Sequence, residues 1–298
     1  MAESIRFTRT PRRPAASRKP SVLRTLLRDK IGRVGAIMGG VIVLAALLAP
    51  LISPHNPAEI FTGYRLQPPS AYFPLGTDEL GRDLLSRALF GARSSLEVAL
   101  SVAFLAAAIG VPIGLVAGYW GGVFDATSMR LMDVLFAFPT ILLALTVIAT
   151  LGPDTRNLII ALTIVYIPTF ARITRGATMS ISREVYIDAG RSVGLGALRL
   201  LVRHVLPNAA APVLVQLSVA LAEIILVEAA LSYLGLGVQP PDPSWGGMLS
   251  SGKVHMETSL WPSLVPGLFI VATVLSFNLL GDALRDSLDP RLRTSHRS

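Results

Sequence analysis

The chain has 298 residues, of which 52% are apolar and only 15% charged, and its mean hydropathy is +0.58. A soluble domain carries about a quarter charged residues, so this balance argues against an ordinary cytosolic enzyme, a disordered chain or a coiled coil. The lack of Cys removes disulfide frameworks, thiolate zinc sites and cysteine nucleophiles, and the four His (His55, His204, His255, His296) lie far apart with no carboxylate pair beside them. No metal site is expected.

Residues 1–30 form a basic segment (Arg6, Arg9, Arg12, Arg13, Arg18, Lys19) containing Pro11, Pro14 and Pro20. It reads as a disordered anchor beside anionic lipid rather than a nucleic-acid arm. A bilayer core about 30 Å thick is crossed by about 20 apolar residues in helix. Val34–Ile52 is the first such run. It lacks a small-x-small cleavage pattern and is expected to remain as a span. Val98–Trp120, Val134–Leu151 and Leu260–Gly281 are further charge-free runs. Leu158–Ala171 is short and has to borrow Arg172 to Arg175, with their heads snorkelling to the interface. Ala209–Leu234 is long enough but contains Glu223 and Glu228. The expectation is an all-α, polytopic membrane protein with six transmembrane helices. Residues 31–93 hold the first span and an outer loop with an interfacial helix, 94–282 a core of five spans, and 283–298 a C-terminal tail.

Gly110, Gly114 and Gly118 recur every four residues in the second span, which permits close approach of a neighbouring helix. Pro112, Pro139, Pro168 and Pro266 are expected to mark kinks. Of the 27 Lys and Arg, 21 fall in residues 1–33, 121–133, 172–210 and 282–298. The six others fall in the alternate connections. This asymmetry puts both termini and the 172–210 loop in the cytoplasm.

The outer loop 53–97 contains Phe73-Pro74-Leu75-Gly76-Thr77-Asp78-Glu79-Leu80-Gly81-Arg82-Asp83-Leu84-Leu85-Ser86-Arg87. Thr77 or Asp78 is suited to cap a short interfacial helix with Leu80, Leu84 and Leu85 on one face. The alternative is a docking surface for an outside protein, with Asp78, Arg82, Asp83 and Arg87 as its contacts. Glu223 and Glu228 are the acidic residues well inside a span, where a carboxylate must face the bundle interior or a wet cavity. Gln216 and Glu223, seven apart, share a helix face. Two roles stand open for Glu223: lining a conduit and meeting a substrate's positive amino terminus, or clamping two helices. For Glu228 the clamp is preferred. Gln216, Glu223 and Glu228 are the candidate translocation-path residues. Gly247-Met248-Leu249-Ser250-Ser251-Gly252-Lys253 imitates a phosphate-binding loop, but Val254 follows where magnesium needs Ser or Thr. The chain is not expected to hydrolyse ATP, and no catalytic residue or bound cofactor is assigned to it.

The 172–210 loop carries Asp188-Ala189-Gly190, then Gly194 after three residues, then His204-Val205-Leu206-Pro207 after nine more. This resembles the EAA motif of ATP-binding-cassette (ABC) importer permeases, with Asp188 for Glu, Gly190 for Ala and His204 for the commoner Ile. A short amphipathic helix here (Val193, Leu195, Leu198 and Leu201 near one side) suits a groove on another protein. Pro207 suits the first turn of the next helix. Gly76–Asp83 with Ser86-Arg87, Gly91–Leu96, Gly118–Gly122 with Asp125, Leu234–Pro241 with Pro243–Gly246, and Phe277–Asp282 with Leu284–Asp286 and Leu288–Pro290 are similar to C-type subunits of the dipeptide/oligopeptide/nickel permease family. The resemblance covers nearly the whole chain after about residue 30. It implies a type I importer permease fold and half of a peptide pathway in a bacterial inner membrane. It further implies a B-type permease partner, two ATPase subunits holding ATP and magnesium, and an external binding protein. Asp188, Ala189, Gly190, Gly194, Leu195, Leu198, His204, Leu206 and Pro207 are the implied coupling residues. A proton-coupled secondary transporter using Glu223 and Glu228 is the alternative, and it lacks the inverted repeat such folds carry. A membrane scaffold without a conduit is a further one.

Overall fold

Nine helices follow one another in the computed structural model, which describes residues 29–288. They are α1 (Lys30–Ile52), α2 (Leu84–Trp120), α3 (Gly122–Phe136), α4 (Thr140–Leu151), α5 (Thr155–Ile181), α6 (Val185–Ser192), α7 (Ala197–Tyr233), α8 (Trp245–Lys253) and α9 (Trp261–Leu288). No strand occurs among the described residues, where β-pairing is limited to one bridge between Thr77 and Asp83. Five helices are long and apolar enough to cross a membrane, or six spans if the bent pair α3–α4 is one. The basic segment expected over 1–30 lies outside the described residues except for Asp29 and Lys30. So do residues 289–298 of the expected C-terminal tail, whose first six residues continue α9.

Lipid tails are as apolar as leucine, so the helices are held by close packing rather than by expulsion of water. The glycine ladder of α2 supplies the closest packing. A Cβ on Gly110, Gly114 or Gly118 would stand 2.7, 2.4 or 2.7 Å from the carbonyl oxygen of Ile167, Ala171 or Arg175. Thus α2 lies directly on the backbone of α5, as the four-residue spacing predicts. At the other edge, Gly35 of α1 lies against Leu279 of α9. Helix α7 packs against α2, α5 and α9. Ile37, Val41, Leu44, Leu47 and Leu51 stay exposed on α1, a side chain set that suits lipid.

Several expectations are corrected. Helix α2 begins at Leu84, so it contains the boundary expected at 93/94, and the outer loop forms no separate interfacial helix. Neither Thr77 nor Asp78 is its cap. Asp83 is, accepting the Ser86 N–H at 2.8 Å. The third span is not straight: α3 and α4 meet at 89°. Pro139 starts α4, and its missing N–H and the restriction it puts on Phe138 end α3 there. Pro112, Pro168 and Pro266 lie inside continuous helices, so the break coincides with Pro139. Arg172 and Arg175 are part of the 27-residue α5. Their heads pair with carboxylates: Arg175 grips Asp125 of α3 bidentately, with Nη2 to Oδ2 at 2.6 Å. Arg172 donates to Asp133 and lies 4.5 Å over the ring of Phe136. The segment that imitates a phosphate loop is helix α8, capped by Ser244 and packed through Gly252 onto the backbone of Pro262.

Candidate functional site

Outside the span region, the Gly76–Asp83 motif is a knot that closes on itself. Gly76 and Gly81 both have positive φ (81° and 82°), and a Cβ on either would stand 2.4 Å from the Gln67 oxygen or 2.3 Å from the Phe61 oxygen. Only glycine fits both the conformation and the space. Thr77 accepts the Gln67 N–H at 2.9 Å and donates to the Tyr64 carbonyl. The Asp78 carboxylate accepts the backbone N–H groups of Leu80 and Arg82, each at 2.9 Å, and the Arg82 Nε at 2.6 Å. It also lies 3.3 Å from the Arg87 Nε, while Arg87 Nη1 donates to the Pro57 carbonyl. Asp78, Asp83 and Arg87 are therefore buried and Arg82 half-buried. These four residues fasten the outer loop to α2. All four make internal contacts, Asp78 with Arg82 and Arg87, and Asp83 with Ser86. Removal of one member of a buried ion pair costs about 3 kcal/mol or more. Asp78→Ala is therefore expected to lower the melting temperature of the detergent-purified protein clearly; a residue serving docking alone would leave that temperature unchanged.

At the opposite end of α2 lies the segment with the EAA-like spacing. The helix there is α6, Val185–Ser192, which includes Asp188, Ala189 and Gly190 but ends before Gly194. Gly194 has φ +80°. Its N–H reaches the Arg191 oxygen at 3.0 Å, and the Leu195 N–H reaches the Gly190 oxygen at 3.0 Å. That pair of bonds is the Schellman motif, which places a left-handed glycine one residue past the C-cap. Val193 is that C-cap. The spacing from triplet to glycine is thus the distance from mid-helix to its stop. A Cβ on Gly190 would touch Leu200 at 2.8 Å and Leu195 at 3.3 Å, so leucines fill the space an Ala methyl would occupy.

Residues 197–233 then continue as one helix, through a π turn at Leu201–Val205. Pro207 lies in the first turn of the regular α segment Leu206–Tyr233 that follows the π turn, as expected; its ring and missing N–H give the local reason for the altered winding before it. Asn208 Nδ2 donates to the His204 carbonyl at 2.6 Å. The amphipathic stripe expected from Val193 to Leu201 does not form: Val193 and Leu198 are exposed, Leu195 is half-buried and Leu201 is buried.

The surface so formed has an inside and an outside. Ile187, Leu201 and Val205 form a buried cluster with Leu115 and Tyr119 of α2 and Ile181 of α5. Arg191 lies 5.2 Å over the Tyr119 ring. Outward, Val185, Tyr186, Val193, Leu198 and Val202 are exposed together with Asp188, Ala189 and Pro207. Asp188 keeps an ion pair with Arg191 at 3.2 Å. His204 and Leu206 are half-buried. Ile187 and Arg191 were not singled out by motif, and Tyr119 appeared only within the Gly118–Gly122 run, since their partnership joins segments about 70 residues apart.

Of the three candidate path residues, two share a surface and one does not. Glu228 is fully buried. Ser232 donates to its Oε1 at 2.6 Å, and Ser95 of α2 lies beside it. It clamps α2 to α7 and is removed from the candidate path. Glu223 is exposed and Gln216 half-buried. Glu223 lines an open concavity of about 430 Å³ with Pro139, Thr140, Ile141, Tyr166, Leu226 and Val227. The 89° bend at Pro139 shapes its rim. Tyr166 was missed because its approach to Glu223 depends on the α5–α7 packing. Among the described residues no group of three or more His, Cys, Asp or Glu forms a metal site.

Comparison with known proteins fits this architecture. Residues 110–294 match the family model described as binding-protein-dependent transport system inner membrane component. Residues 21–69 match the N-terminal TM domain of oligopeptide transport permease C. The di/tripeptide transport system permease protein of Pseudomonas aeruginosa is 44% identical over 93% of this chain and 94% of its own length. The glutathione transport system permease protein of Escherichia coli is 41% identical over 91% of this chain and 89% of its own. A solved methionine ABC transporter, MetNI, in inward-facing conformations supplies a chain with TM-score 0.55 at 19% identity; the match covers 68% of this chain and 96% of that one. That likeness is one of fold. The proton-coupled alternative finds no support, and one of its two carboxylates, Glu228, is sealed in packing. The chain belongs to the family of inner-membrane components of binding-protein-dependent transport systems, as a multi-pass permease subunit whose ATP hydrolysis is carried out by partner subunits.

Proposed function

We propose that this chain forms half of the translocation pathway of a bacterial peptide importer, alongside a B-type permease, two ATPase subunits and an external binding protein. The observation that carries the reading is α6: a helix stopped by a Schellman glycine, anchored inward through Ile187 and apolar outward. A helix so anchored moves with α2, α5 and α7 when a partner moves it, because packed interfaces shift as units rather than deform smoothly. The names of the relatives support a peptide cargo. The chain lies in the cytoplasmic membrane with both termini inside, a placement supported by the Lys and Arg asymmetry.

Proteoliposomes containing the full assembly and its binding protein test the reading. Uptake of a labelled dipeptide should need internal ATP and survive a protonophore. Uptake that fails on collapse of the proton gradient while ATP persists rejects it. Orientation is tested separately, since the chain has no Cys. Val193→Cys should be labelled by a membrane-impermeant maleimide only after the inner face is opened.

A further inference from the structure

We infer that the concavity lined by Glu223 and Tyr166 is a subsite for the free ammonium group of the transported peptide, and that the α4–α5–α7 surface around it is the conduit wall. The inference rests on the peptide-import reading. Three observations support it.

The first is the depth of the carboxylate. Glu223 precedes the outer end of α7, Tyr233, by ten residues. At 1.5 Å per residue this is about 15 Å, half the thickness of the hydrocarbon core. A carboxylate there is costly against lipid and is tolerated beside water or a counter-charge. The second is its surroundings. Its neighbour Glu228 is sealed, with a Ser232 partner at 2.6 Å, whereas Glu223 is exposed and pairs with no cation among the described residues. An exposed carboxylate at this depth suits a wet passage better than lipid. The third is the shape and chemistry of the concavity. Leu226, Val227 and Ile141 give it apolar walls, and Glu223 and the Tyr166 hydroxyl give acceptors. Apolar walls with a few placed polar groups are the usual make-up of a small-ligand site. An ammonium group is the complement of that set, and every peptide with a free amino terminus carries one whatever its side chains. Recognition of this shared group suits a subunit that passes varied peptides.

The test uses the complete reconstituted importer with labelled dialanine. Glu223→Gln keeps the shape and removes the charge. Its maximal uptake rate should fall about tenfold, the scale of one lost charge-assisted hydrogen bond. The dialanine concentration for half-maximal uptake, set at the binding protein, and the rate of ATP hydrolysis should remain within about twofold of the unaltered importer. ATP hydrolysed per peptide then rises about tenfold. Glu223→Asp should recover most of the uptake. Unchanged uptake in Glu223→Gln overturns the inference. So does equal loss in both variants, which would mark a packing role. Failure of Glu223→Gln to co-purify with the second permease overturns it too, by placing the counter-charge on that subunit. An unaltered importer that hydrolyses ATP but moves no peptide rejects the peptide-import reading itself. Normal peptide uptake with an unaffected variant rejects only the assignment of Glu223.

Discussion

Gly114→Val is expected to deplete the folded protein from the membrane and to lower the melting temperature of whatever can be purified. A Cβ at Gly114 would stand 2.4 Å from the Ala171 oxygen, 2.8 Å from the Thr174 Cβ and 2.9 Å from the Arg175 nitrogen. Two of these three atoms are helix backbone, which cannot rotate aside. Valine adds two methyl groups to that clash. Overpacking a close-packed interface costs typically 1–3 kcal/mol, and the rigid contact here puts the cost at about 3 kcal/mol or above. Relief would require α2 and α5 to separate along their length, disturbing the core they share at Ala99, Val102, Ala106 and Phe170. Fluorescence-detected size exclusion after detergent extraction provides the measurement. A sharp peak of unchanged melting temperature would contradict the packing described here. Gly176 of α5, with nothing within 4 Å of its Cβ position, supplies a control that should tolerate Ala.

The second large effect is on transport rather than on folding. Gly194→Trp is expected to leave membrane insertion and extraction intact while reducing uptake at least about a hundredfold. Nothing lies within 4 Å of a Cβ at Gly194, so the side chain leaves the backbone into open space. Its cost within the subunit is the left-handed backbone at φ +80°, about 1–2 kcal/mol for a residue with a side chain. That is small against the stability of a bundle of spans. Outward, the indole is projected into the exposed surface between Val193 and Leu198, where the ATPase is proposed to sit. Co-purification of the ATPase and uptake by proteoliposomes are the two readouts. Gly194→Ala separates backbone strain from bulk, since it shares the first and lacks the second. Normal uptake by the Trp variant would remove α6 from the proposed coupling surface.

The spans were legible because a membrane segment is declared by composition over a short window; five of the six expected runs fall on one long helix each, and Val134–Leu151 falls across the bent pair α3–α4. The α2–α5 contact was legible for a similar reason: a four-residue glycine repeat describes one helix face whatever its partner. The coupling segment was readable as a spacing, and the structure supplies its meaning as a helix and its stop. What stayed hidden depends on atoms distant in sequence. Asp78 reads as a free surface charge until Arg82 and Arg87 fold back on it. Arg175 reads as an unpaired cation until Asp125, 50 positions away, is brought beside it. Glu223 and Glu228 have the same chemistry and lie on the same helix, five residues apart. Only the third dimension separates them, by putting Ser95 and Ser232 against one and open space against the other. A proline such as Pro139 announces a disturbance, but not whether a helix bows slightly or turns through a right angle.

The length of α2 has a mechanical consequence. From the outer knot at Asp83 to the cluster at Tyr119 it is one strut of 37 residues, about 55 Å at 1.5 Å per residue. The same strut bears the fastened loop at one tip and the footing of α6 at the other. If it pivots near the bilayer centre, its tips swing in opposite senses, by roughly 2 Å each for a 5° tilt of a rod of that length. A shift of the inner footing is then felt, reversed in direction, on the far side of the membrane, with no relay of side chains between them.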